Sequence, residues 1–162
     1  MITQALAKNI VATTYESLPE KAREATKKSI LDTLGVMFPP TTLVDTCISV
    51  YDLMQEAGGK PESTLIGFGG KAPCWVAGFV NGSLTHAIDF DDCVGLEKPI
   101  MHPTGSTLPA AFAMAERVGR VSGKEFITAV ALGNDLSVRL GGAPRGNVVW
   151  GYPFFPITTF GI

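Results

Sequence analysis

The sequence predicts an all-α fold, and three observations carry that reading. Apolar residues recur at helical spacing through most of the chain. Proline and glycine pairs separate one such segment from the next. A single short β-prone stretch, STLIGFGGKAP, interrupts the series and reads as a short extended piece or a loop. A chain of 162 residues fits one domain, residues 1–162, with about six helices and at most a minor strand.

The elements follow in order. Leu6, Ile10, Val11 and Thr14 share a face of the first helix, with Thr3 as its N-cap. The second begins at SLPEKAREATKK: Ser17 caps, Pro19 suits the first turn and Glu20 faces the positive end. Its buried face is Ala22, Ala25, Ile30, Leu34 and Met37, and Phe38-Pro39-Pro40 stops it. A third helix is expected from Thr42 to Ala57, with Leu43, Ile48, Tyr51 and Met54 inside and Gly58-Gly59 closing it. The fourth, Pro73 to His86, is apolar nearly all round and rich in small residues, which predicts close neighbours on most sides. A fifth runs from Ser106 to Val118. The sixth opens with Ser122 and Glu125 in capping-box spacing and closes at Gly141-Gly142.

Composition excludes several functions. The net charge is −2 and no broad basic face exists, so nucleic acid is not an expected partner. Lys21, Arg23, Lys27 and Lys28 read as a solvated helix face. Cys47, Cys74 and Cys93 are odd in number and widely spaced, which suits neither a disulfide framework nor a thiolate zinc site. The N-terminus lacks the pattern of a secretory signal, no apolar run is long enough to span a membrane, and a cytoplasmic protein is expected. Charged residues are only 17%, against a usual share of about 25%, which hints that another chain covers part of the surface.

The candidate site is THAIDFDDCVGLEKPIMHP, residues 85–103. It holds three aspartates within four positions, flanked by both histidines of the chain. On a continuing helical turn His86, Asp89 and Asp92 would share a face. Asp89 and Asp91 alternate around Phe90, which is expected to turn inward. Thr104 or Ser106 would cap the following helix, whose free amides favour an anion. Carboxylates, an imidazole and a helix N-terminus together suit proton transfer on a small carboxylate. Plainer roles stand beside this one. Asp91 or Asp92 can cap loop amides, and His86 can be a structural histidine. No metal-ligand spacing is present, and none is expected to bind.

The motifs GFVNGSLTHAIDFDD and HPTGSTLPAAFAMAERVGRVSGKEFITAVALGNDLSVRL resemble the MmgE/PrpD family, and the likeness covers nearly the whole chain. The pattern from Leu18 to Gly35 fits as well. The resemblance implies a cofactor-free lyase or isomerase of the 2-methylcitrate dehydratase, cis-aconitate decarboxylase or iminodisuccinate epimerase kind, acting on a small di- or tricarboxylate. It implies a large helical domain, a smaller α+β lid and a homodimer, with the pocket between the domains. Asp89, the first aspartate of D-F-D-D, and His102, of H-P-x-G, match the family's active-site positions. Cys93, after D-F-D-D, matches a pocket-lining one. His86 and Thr104 are further candidates for substrate contact.

Three departures accompany the likeness. Family members are much longer, so this chain is expected to end inside the helical domain, short of the lid and the later catalytic lysines. Phe155 and Ile157 stand where a G-x-H-x-T-x-x-x-G motif has histidine and threonine. The spacer from Asp92 to His102 is longer than expected for the decarboxylases. The rival reading is an inactive truncated or split-subunit remnant that serves as an interaction partner.

The tail NVVWGYPFFPITTFGI carries Trp150, Tyr152, Phe154, Phe155, Phe160 and Ile162 and no charged side chain, as a core cut across would. Burying one such side chain contributes about 1.5–3 kcal/mol. The chain is therefore expected to self-associate or to take up a complementary chain through residues 148–162. Sedimentation at micromolar concentration checks this; a lone, well-behaved monomer contradicts it.

Overall fold

A computed structural model describes residues 1–95 and 100–141. The aromatic tail, with Phe155 and Ile157, lies outside the described residues, as does Gly142. The described residues form seven helical segments and two small antiparallel hairpins, in keeping with the all-α expectation. In order these are α1 (Ile2–Ala12), α2 (Glu20–Val36), α3 (Pro40–Leu43), α4 (Asp45–Gln55), β1 (Ser63–Thr64), β2 (Lys71–Ala72), α5 (Cys74–Thr85), β3 (Val94–Gly95), β4 (Ile100–Met101), α6 (Pro103–Val118) and α7 (Gly123–Gly141). None of these helices is long and apolar enough to cross a membrane.

The centre of the fold is α6, packed between α5 and α7, with α2 against all three and α4 against α5. Two apolar clusters fill the spaces. One joins Leu65, Val76, Ala77, Val80 and Ala113 under a stacked Tyr51–Phe68 pair. The other joins Met37, Cys47, Ile66, Leu84, Leu108 and Val130. Small residues allow the close crossings: a Cβ on Gly78 of α5 would stand 3.9 Å from that of Ala113, and one on Gly133 of α7 would overlap the Thr107 side chain.

The first hairpin is stapled across α5 and α6 by polar side chains. Ser63 pairs with Ala72 and Thr64 with Lys71, and Gly69 and Gly70 turn the loop at positive φ. Asn81 of α5 is fully buried; it accepts from the Ile66 amide and donates to the Thr64 carbonyl, both at 2.9 Å. Glu116 of α6 accepts from the Thr64 amide, the Thr64 hydroxyl and the Lys71 ammonium. Burial pushes its carboxyl up, but those bonds outweigh it and hold the group below its ordinary range.

Several sequence expectations are corrected. The third helix is split: α3 ends at Leu43, Val44 is extended, and α4 restarts at Asp45. Leu43 is consequently exposed. No residue of α1 is buried, Val11 is exposed, and Met1 rather than Thr3 occupies its N-cap. Ser17 does not cap α2, because its hydroxyl bonds back to Thr14 in a turn of its own. Ala25 is exposed, and Thr26 and Thr33 take the buried face with Met37. The capping box of α7 is present: Glu125 accepts from the Ser122 amide at 2.8 Å, and Ser122 Oγ accepts from the Glu125 amide at 3.2 Å.

These crossings make a direct stability prediction. Thr107 is buried and β-branched, so its side chain has little freedom to yield. Gly133→Val should lower unfolding free energy by about 1–3 kcal/mol through overpacking. Gly35→Ala, where a Cβ meets open space, should raise it by up to about 1 kcal/mol. Denaturant titration of both variants checks the pair; equal effects would contradict the crossing geometry.

Candidate active site

The site forms where α5 ends and α6 begins. α5 stops at Thr85, and His86 is its C-cap. Asp89 then adopts φ 54°, a left-handed conformation that a short polar residue tolerates. The chain therefore turns there instead of continuing a helix or alternating as a strand. His86, Asp89 and Asp92 do not share a helical face. Phe90, expected inward, is 76% exposed, and Asp91 is the residue that turns in.

Asp91 lies between the two histidines. Its side chain is 0% exposed; Oδ1 stands 2.8 Å from His86 Nδ1 and Oδ2 stands 3.3 Å from His102 Nδ1. The two imidazoles are tilted at 55° with centroids 4.7 Å apart. His102 is 17% exposed and His86 47%. His102 is the N-cap of α6, and Pro103 fills its first turn, so the helix starts earlier than the sequence suggested. Neither Thr104 nor Ser106 is the cap.

Gly105 makes this approach possible. A Cβ there would meet Asp91 Oδ2 and Thr85 Oγ1, each at 3.2 Å. Thr85 Oγ1 lies 3.0 Å from the Gly105 carbonyl and 2.8 Å from that of Gly82, as donor to either. Pro109, inside α6, has no N–H for the Gly105 carbonyl four residues earlier. The Thr85 hydroxyl thus reaches the acceptor that the proline leaves open.

Asp92 takes the capping role. It accepts from the Thr104 amide at 3.3 Å and the Thr104 hydroxyl at 2.6 Å, and Asn134 of α7 donates to that hydroxyl oxygen at 2.9 Å. Thr104 is fully buried in this network. Cys93 is exposed as a free thiol. Asp89 is 83% exposed at the rim, its Oδ1 3.9 Å from His86 Nε2. The sequence candidates therefore sit in three settings: His86 and His102 in the cluster, Asp89 and Cys93 at the surface, Thr104 within the fold. Asp91 is the group that alternation hid. Its signal was chemical: two histidines beside one acidic run invite a carboxylate between them.

His86, Asp91 and His102 line a groove of about 780 Å³ between α5 and α6. Its walls include Trp75, Phe79 and Met114, all exposed. Among the described residues, one arginine lines it, Arg117, fifteen positions along α6 from His102, roughly 22 Å of backbone rise at 1.5 Å per residue. The cluster's ligand atoms also fall within 4.8 Å of one another, as a metal site would require. An ion about 2.1 Å from each would hold them about 3.4 Å apart. The 2.8 Å His86–Asp91 contact is a hydrogen bond and would have to open.

Comparison with known proteins adds to this geometry. Residues 4–161 match the family described as the MmgE/PrpD N-terminal domain. The chain is 31% identical over 149 residues to a cis-aconitate decarboxylase of Homo sapiens, covering 86% of this chain and 29% of that protein. It is 30% identical over 149 residues to a cis-aconitate decarboxylase of Mus musculus, covering 86% of this chain and 28% of that one. The chain thus spans less than a third of the length of these relatives.

The Asp92 network has a pH signature. Burial holds its carboxyl above the ordinary value of 3.8; the Thr104 bonds oppose this, and Asp91 and Asp32 add to it. A carboxyl raised in the folded state favours folding below the unfolded value and loses that contribution as pH rises through the folded value. Relative to Asp92→Asn, the wild type should therefore gain melting temperature as pH falls from neutral toward 3.8. Parallel melting curves across that window would contradict this account.

Proposed function

The chain belongs to the MmgE/PrpD family, and from that premise we propose that it supplies the proton-transfer part of a cofactor-free site for a small di- or tricarboxylate. The observation that carries the reading is the pair of imidazoles held by a buried carboxylate at the end of the α5–α6 groove. Asp89 and His102 are the proposed acid–base and substrate-anchoring groups, with His86 and Cys93 as further proposed substrate contacts. Thr104 acts through Asp92 at the start of α6.

A lyase reaction is favoured, because both relatives are decarboxylases by name. In such a step a carboxylate leaves as carbon dioxide, and the electron pair left on carbon takes a proton from a positioned acid. Epimerisation or dehydration would use the same groups to remove a proton beside a carboxylate. Among the described residues, no lysine or arginine lines the histidine end of the groove. The substrate's negative charges therefore call for cations from outside these residues. A homodimer in the cytoplasm is the proposed setting.

The test uses the complete assembly with cis-aconitate as first substrate and other small polycarboxylates beside it. Asp89→Asn and His102→Ala should each lower turnover about 10²–10⁴-fold, the usual scale for an acid–base group. Asp89 is exposed, so its variant should keep the wild-type melting temperature. Normal turnover in both variants would overturn the assignment.

A further inference from the structure

We propose that Asp91 is a positioning residue: it fixes both imidazoles as Nδ1–H tautomers and joins Asp89, His86, Asp91 and His102 into one chain. The inference rests on the reading of this groove end as an acid–base site, but its test does not use turnover.

The argument begins with donors and acceptors. An ionised carboxylate only accepts, so an imidazole nitrogen that bonds to it carries the proton. Asp91 Oδ1 has His86 Nδ1 at 2.8 Å. Asp91 Oδ2 is buried and, among the described residues, accepts no hydrogen bond of good geometry; His102 Nδ1 stands beside it at 3.3 Å. A buried acceptor left without a donor costs about 1–3 kcal/mol, so His102 as Nδ1–H is the state that relieves it. Gly105 closes the remaining side, since even a methyl group there would crowd Oδ2.

The consequence concerns the opposite ring edges. In a neutral imidazole one nitrogen donates and the other accepts. With Nδ1 protonated, each Nε2 presents its lone pair away from Asp91. His86 Nε2 lies 3.9 Å from Asp89 Oδ1, a distance that a small motion or one water can close. The two residues matched to the family's active-site positions are thereby connected, in the order Asp89, His86, Asp91, His102. A proton taken up at His102 Nε2 leaves the Nδ1–H on Asp91, so the resulting positive charge faces the same carboxylate that holds His86. Where an aspartate fixes a catalytic tautomer in a Ser-His-Asp triad, changing it to asparagine lowers kcat about 10⁴-fold.

The chain holds only two histidines, so its ring nitrogens give a simple spectrum. Two-bond correlation of ring protons to ¹⁵N, recorded above the ordinary imidazole pKa of about 6.5, distinguishes the protonated nitrogen from the bare one. Both wild-type rings should show protonated Nδ1 and bare Nε2. In Asp91→Asn the amide offers one acceptor and one donor, so at least one ring should shift to Nε2–H. A wild-type ring found as Nε2–H, or an unchanged pattern in a folded Asp91→Asn, overturns the proposal. If Asp91→Asn does not fold, the wild-type spectrum alone decides. The tautomers are read without substrate, so failure of the activity assignment and failure of this one are separate outcomes.

Discussion

The first turn of α6 meets the end of α5 at Gly105, and the rest of the site depends on that contact. Three requirements converge on one missing Cβ. Asp91 needs room for a carboxylate, Thr85 needs its hydroxyl against the Gly105 carbonyl, and Pro109 has left that carbonyl without its helical partner. A side chain at Gly105 would push on Asp91 and Thr85 together. The backbone defect at Pro109 and the polar contact at Thr85 are thus two halves of one local solution.

Around that contact the acidic run divides its labour by depth. Asp92 is turned into the fold, where it ties the start of α6 to Asn134 of α7 through Thr104. Asp91 is buried between imidazoles, where its charge is offset by donors. Asp89 stays in solvent at the rim. Three residues of one type within four positions therefore have different surroundings, which is how a single element can supply both a scaffold and a reactive edge.

Much of this was legible in the sequence, and the reasons for what was not are local. Helical periodicity located α2, α5, α6 and α7, because long amphipathic or small-residue segments leave a strong pattern. It merged α3 with α4, since one extended residue at Val44 does not disturb the spacing of apolar side chains. It put Phe90 inside and Asp91 aside, because alternation assumes extended backbone and Asp89 is left-handed. The hairpin of β3 and β4 was missed beneath its glycine and prolines. Asn81 offered no pattern at all: its burial is set by two backbone groups of a distant hairpin.

The two ends of α6 are anchored to different things. Near its C-terminus Glu116 and the Ala113 carbonyl hold the β1–β2 hairpin; at its N-terminus His102 and Thr104 face the acidic run. A helix pinned this way works as a ruler with an angular scale. One residue inserted between the anchors would advance the far end by about 1.5 Å and rotate it by about 100°. His102 would then swing away from Asp91 while the hairpin stayed in place. The spacing from His102 to Glu116 is therefore as much a part of the site as the residues that touch it.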